Sequence, residues 1–391
     1  MITIYNNSLI KLYSEATLNQ DLLSFYNEWK LRYLRPVDSS SPLKEYLFYT
    51  LDQPTSNNAV TCSEAMGYGT VIFSIMSKFD PTAKSHFTSL YNYIKSFPSI
   101  YNNNLMAWQQ IKDSNGNIVH GEPEPSSATD GDMEISYGLL LANTIWGAND
   151  PINYKDEAIK RINALMDSCV NKNDYILTLG DWVNGTAENN FKYVTRSSDF
   201  LIYHLKEFIK VDPKNRNQWR LIIKRINSII SDQMKRQSKY NGLMPDFFIK
   251  DKGKYIAPKV KVLETIHDGD YYFNSCRIPW RYSMDIILNK APVTSQLHTL
   301  NKWIKKETES NPSNIKSGYF VANDSPGKPF GSPNDLSFIA PFLVSSLIEK
   351  GNDDWTIALW KSLLGKPIAD CTFYENTLKL LAMIVATGNW L

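Results

Sequence analysis

Helical periodicity runs through almost the whole chain and leaves little room for any other fold class. In residues 132–146, Ile135, Leu139, Ala142 and Trp146 recur at steps of 4, 3 and 4 residues, which puts them on one helix face. Comparable patterns cover 16–33, 64–78, 83–96, 155–169, 197–211, 215–235, 272–288, 294–307, 335–349, 354–364 and 373–387. The joining segments are rich in Asn, Ser, Gly and Pro. Alternating strand patterns are short, and 247–256 and 319–322 carry the best of them. So many helices without a parallel sheet predict an all-α fold with minor short strands. No internal repeat of roughly 34 or 40 residues is visible, so a closed ring of helical hairpins is expected rather than a regular solenoid. No composition shift marks a linker, and one domain over residues 1–391 is expected.

Charge excludes several partner classes. Lys plus Arg number 42 against 40 Asp plus Glu, a net +2, which supplies no bulk attraction to nucleic acid or to an anionic membrane. No stretch approaches the roughly 20 apolar residues of a membrane helix. Cys62, Cys169, Cys276 and Cys371 are widely scattered, without CxxC or Cys/His ligand spacing, so buried free thiols are expected and a zinc site is not. The start, MITIYNNSLIKLYSE, lacks the basic region and apolar core of a secretory signal. The aromatic content, 10 Trp, 22 Tyr and 17 Phe, suits either core packing or stacking on sugar rings.

One connection stands apart. Between Arg236 and Tyr272 lie about 35 residues with little helical pattern, well beyond the usual length of a structureless loop. Phe247, Phe248, Tyr255, Tyr271 and Tyr272 make this stretch too aromatic for simple disorder, so a functional loop is expected.

Three segments concentrate candidate chemistry. In Thr61-Cys-Ser-Glu-Ala-Met-Gly-Tyr-Gly-Thr70, Glu64 opens an apolar helix among small residues. A dipole-satisfying acid is the plainer reading there. However, Gly67 and Gly69 weaken a helix by about 1 kcal/mol each, which suits backbone that must approach something closely. In Ala128-Thr-Asp-Gly-Asp-Met-Glu, Asp132 is the expected helix cap and Asp130 lies just outside it. In Glu264-Thr-Ile-His-Asp-Gly-Asp-Tyr-Tyr-Phe-Asn-Ser-Cys-Arg-Ile-Pro-Trp-Arg281, Arg277 and Arg281 are one turn apart and suited to clamp a carboxylate. Pro279 suits a first helical turn. No Gly-x-Ser-x-Gly elbow, phosphate loop or dinucleotide fingerprint is present.

Together these segments resemble glycoside hydrolase family 8. SEAMGYG is similar to the family's acid-bearing Ser-Glu-Gly-x-Gly-Tyr-Gly, and ATDGDMEISYGLLLANTIW to its signature helix. TRSSDF at 195–200, NSCRIPWR at 274–281, DLSFIAP at 335–341 and YENTLKLLAMIVATGNW at 374–390 follow in the family's order. The resemblance implies an (α/α)6 barrel acting on β-1,4-linked polysaccharide. It also implies Glu64 as general acid and Asp130 as holder of the central sugar. One departure matters: many members carry an Asp base where this chain has Asn274. The subgroup with Asn there resembles chitosanases and lichenases, whose base is a Glu on an inserted loop, which points to Glu264.

The expected reaction is therefore inversion. Glu64 protonates the leaving oxygen while Glu264, steadied by Arg277, activates water on the opposite face of the sugar. Trp108, Tyr137, Trp182 and Tyr272 are the expected stacking residues, beside Asn274 and Arg277. Chitosan is the first expected substrate, with β-1,4- or β-1,3-1,4-glucan the alternative and an inactive polysaccharide-binding protein the reading from another class. Asp113, Glu122, Glu124, Asp181 and Asp335 are carboxylates available to hold chitosan's amines. No cofactor, metal, nucleic acid or membrane partner is expected. A secreted monomer is, secretion following from the polymeric substrate.

Overall fold

The structure, a computed structural model, describes residues 8–38, 43–147, 151–185, 190–322 and 325–390. Helices dominate it, most of them within a residue or two of their expected ends. By contact the chain divides into two compact units, one of Met1–Tyr26, Tyr193–Leu205 and Leu221–Trp390, the other of Asn27–Lys192 and Lys206–Arg220 with Leu391. Among the described residues no helix is long and apolar enough to cross a membrane. All four cysteines carry free thiols.

The unit built on Asn27–Lys192 is organised by a crossing between the helices Ser63–Met76 and Thr129–Trp146. Glycine makes that crossing close. A Cβ added to Gly67 would sit 2.5 Å from Glu134 Cβ, one on Gly131 2.7 Å from the Ser63 backbone carbon, and one on Gly138 2.7 Å from Thr70 Cβ. The close approach expected of Gly67 is thus to a neighbouring helix. Gly69 instead faces Leu47 and Leu90, and its own Cβ would lie 2.6 Å from Leu47 Cδ1. A three-stranded antiparallel sheet, Ala59–Cys62 with Gln109–Lys112 and Ile118–His120, leads into the first helix.

In the other unit the helix Leu336–Ser346 is buried at every residue and packs against Ile278–Asn289 and Phe373–Ala386. Thr372 and Glu375 form a capping box that starts Phe373–Ala386. The strand expectation for 247–256 resolves into a hairpin, Phe247–Asp251 with Lys254–Ile256, extended by Val194–Arg196. The segment 319–322 makes only isolated bridges, Tyr319 with Tyr271 and with Pro329. Two helices start later than expected. Ser197–Asp199 and Ser275–Arg277 are single 3-10 turns, and the α-helices begin later, at Ile202 and Ile278. Pro279 then occupies the first turn, as its missing N–H requires.

Candidate active site

Each unit gathers its own cluster of expected residues. In the unit built on Asn27–Lys192, the strand Ala59–Cys62 runs straight into the helix whose second residue is Glu64. The Ser63 N–H donates to the Trp108 carbonyl at 2.8 Å, tying the helix start to the segment that carries Trp108. Asp130 is the second residue of Thr129–Trp146 and only 4% exposed, with Oδ1 accepting the Gly131 N–H at 2.9 Å. Ser63 and Gly131 are the residues in contact, so their neighbours Glu64 and Asp130 leave the same crossing. Burial pushes the Cys62 thiol up, and both carboxylates add to the effect from that crossing.

Asp132 is not the cap. The helix starts three residues earlier, with Ala128 at the N-cap position, and Asp130 therefore lies inside its first turn. Asp132 is fully buried, accepts the Met106 N–H at 3.0 Å and pairs with Arg161 of the helix Tyr154–Ser168. Burial pushes its carboxyl up to about 7 against the opposing pull of Arg161.

The expected stacking residues separate by exposure. Trp108 is half-buried, its Nε1–H donating to Glu122 at 2.6 Å. Trp182 is half-buried, edge-on to Phe191 at 5.1 Å. Tyr137 is buried inside Thr129–Trp146, only 3% exposed.

The second cluster lies where the long connection meets the turn Ser275–Arg277. Glu264 is exposed, and its Oε2 accepts the Asn274 Nδ2–H at 2.7 Å. Its Oε1 accepts from Arg196 at 3.2 Å. The cation beside Glu264 is therefore Arg196, not Arg277. Arg277 serves Asn274 instead, donating to its Oδ1 at 3.0 Å and its carbonyl at 3.3 Å. Arginine offers only donors, so the Asn274 oxygen must face Arg277 and its NH2 must face Glu264. Behind this pair sits Asp246, fully buried, which accepts the N–H groups of Tyr272, Asn274 and Ser275 and the Ser275 hydroxyl. Burial pushes Asp246 up to about 7, and the nearby Glu264 charge adds to it. Tyr272 is half-buried against His267, Phe330 and Phe273.

The profile of the family described as Glycosyl hydrolases family 8 matches residues 29–388. The chain belongs to that family. Among its relatives is a protein called beta-glucanase from Niallia circulans, 36% identical over 99% of this chain and 90% of that protein. Another is an endoglucanase from Bacillus sp. strain KSM-330, 30% identical over 96% of this chain and 78% of that protein. A solved apo structure of a beta-1,3-1,4-glucanase from Paenibacillus sp.X4 superposes with a TM-score of 0.85 at 35% identity, covering 97% of this chain and 94% of that one. The chain is thus a family 8 glycoside hydrolase of the (α/α)6 class.

Reading the family motifs alone left three residues without a role. Arg196 was visible only inside TRSSDF, Asp246 had no motif around it, and Asp268 lay inside the Glu264 segment with no assigned task. Asp246 and Asp268 gather backbone N–H groups and Arg196 pairs with a carboxylate distant in sequence, contacts that a side-chain pattern does not display.

Proposed function

We propose that this family 8 hydrolase cleaves β-glucan, with mixed β-1,3-1,4 linkages as its preferred target, internally and with inversion. Glu64 donates the proton to the departing oxygen, and Glu264 takes one from the attacking water. The observation that carries the reading is the Glu264–Asn274 contact. Asn274 cannot accept a proton from water, but it donates to a carboxylate that can. Half-exposed Trp108 and Trp182 are the better stacking candidates, and Asp130 the holder of the central sugar.

Glucan displaces chitosan, the first expectation from sequence, on two grounds. The relatives' names speak of glucan. The carboxylates considered for amine recognition are also engaged within the protein. Asp113 accepts its own turn's N–H groups from Asn115 and Asn117. Glu122 holds Trp108, Glu124 accepts from Tyr101, Asp181 accepts from Ser99 and Ser127, and Asp335 caps the helix at Ser337. A secreted monomer remains part of the proposal, since a polymer of this size is met outside the cell.

The test is reducing-sugar release from lichenan, carboxymethylcellulose, xylan and chitosan side by side, with NMR of the first-formed anomer. Fastest release from lichenan with α product first is expected. Chitosan as the best substrate, or β product first, overturns the reading. Binding of oligosaccharide without hydrolysis of any polymer identifies an inactive carbohydrate-binding protein instead. Glu64→Gln and Glu264→Gln should each cost roughly 100-fold or more in turnover.

A further inference from the structure

Glu264 lies on a segment that apolar packing does not hold. Its neighbours Leu263 and Ile266 are 39% and 76% exposed. Fixing such a segment is entropically costly, and a general base works only if its oxygen is held where the water will be. Something other than a hydrophobic core must therefore order it.

The ordering group is one carboxylate. Asp268, 1% exposed, takes the N–H groups of Val262 at 2.8 Å, Leu263 at 2.7 Å and Glu264 at 3.1 Å on Oδ2, and that of Thr265 at 2.8 Å on Oδ1. Four consecutive backbone N–H groups thus converge on a single buried side chain. Bonds to an ionised acceptor are the stronger kind. The Glu264 side chain is then met from the other direction by Asn274 and Arg196.

We propose that Asp268 is a positioning residue for hydrolysis, winding the segment Val262–Thr265 around its carboxylate so that Glu264 is presented ready to activate water. This rests on Glu264 being the base. Asp268 touches no substrate in this role and acts only through Glu264. An amide at this position keeps one acceptor oxygen, but its NH2 opposes a backbone N–H, so Asp268→Asn loosens the segment without emptying the site.

The experiment compares kcat and KM on lichenan for the full chain and three variants, Asp268→Asn, Asp268→Ala and Glu264→Gln, with folding followed by circular-dichroism melting. For Asp268→Asn, kcat should fall about tenfold, and for Asp268→Ala about 100-fold, approaching the loss from removing the base. KM should stay within about threefold, as expected when an interaction serves only the transition state. Should Asp268→Ala fail to fold, Asp268→Asn carries the test. Wild-type kcat in a folded Asp268 variant, with Glu264→Gln inactive, overturns the positioning role alone. So does a loss shared between kcat and KM, since the segment would then merely shape the cleft. Wild-type turnover in Glu264→Gln overturns the base assignment and the positioning role together.

Discussion

Asn274 Nδ2 donates to Glu264 Oε2 at 2.7 Å, so the amide steadies the carboxylate proposed as the base. The two residues form one device. Restoring the acid with Asn274→Asp would set a carboxylate against Glu264 and also against Asp246, whose Oδ2 lies 3.3 Å from the same amide nitrogen. Lost donation and added like charge both favour protonated carboxyl groups. A general base that loses its charge or its orientation loses turnover, so kcat should fall about tenfold with KM little changed. Wild-type kcat in the variant would mean that the pair does not govern the base.

Arg277 reaches the same device through the amide it orients. Arg277→Met removes the donors to Asn274 Oδ1 and to its carbonyl, leaving the amide free to turn its oxygen toward Glu264. A fall in kcat of about tenfold with little change in KM is expected, the pattern of an interaction felt in the transition state. Lysine should rescue poorly, because one ammonium does not reproduce a planar fork that meets both oxygens. Steady-state kinetics on lichenan with the Met and Lys variants side by side decide it.

On the other unit, the crossing that carries Glu64 and Asp130 has no slack. A Cβ at position 131 would lie 2.7 Å from the Ser63 backbone carbon, and backbone cannot rotate away as a side chain can. Gly131→Ala should therefore cost about 1–3 kcal/mol of stability, the usual scale of overpacking. It should also lower kcat, since separating the helices moves Glu64 and Asp130 apart. Thermal melting and kcat read the two effects. Unchanged melting would show that the crossing yields where the glycine contacts say it does not.

The helical class and most helix ends were legible because apolar spacing reports directly on which face is buried, as in Ile135, Leu139 and Ala142, all fully buried. Glu264 and Asn274 stand in one motif segment, and the structure brings their side chains together. Partnerships were not. Arg277 stands three residues from Asn274 and looked like the natural mate for Glu264, yet Arg196, 68 residues before it, is the cation that reaches it. Asp132 looked like a cap because an acid at a helix start normally is one. Its role was set by Arg161 and the Met106 N–H, which only the fold brings to it.

Asp246 gives the clearest pH signature. Buried behind Asn274 and pushed up to about 7 chiefly by desolvation, it holds a proton in the folded protein over a range where the unfolded chain has lost it. Between about pH 4 and 7 the native state therefore binds more protons at this site than the unfolded state, and stability falls as pH rises, by up to about 1.4 kcal/mol per unit. That contribution is fully present below the unfolded value and gone above the folded one. Asp246→Asn removes the titration, so the wild-type decline across this window should flatten in the variant. The variant should also start lower, because an amide has one acceptor oxygen for the N–H groups of Tyr272, Asn274 and Ser275, and an unmet buried donor costs about 1–3 kcal/mol. Denaturant melts at pH 4, 5.5 and 7 for both proteins measure the two effects separately, as a slope and an offset. Parallel declines in the two proteins would assign the pH dependence to another group.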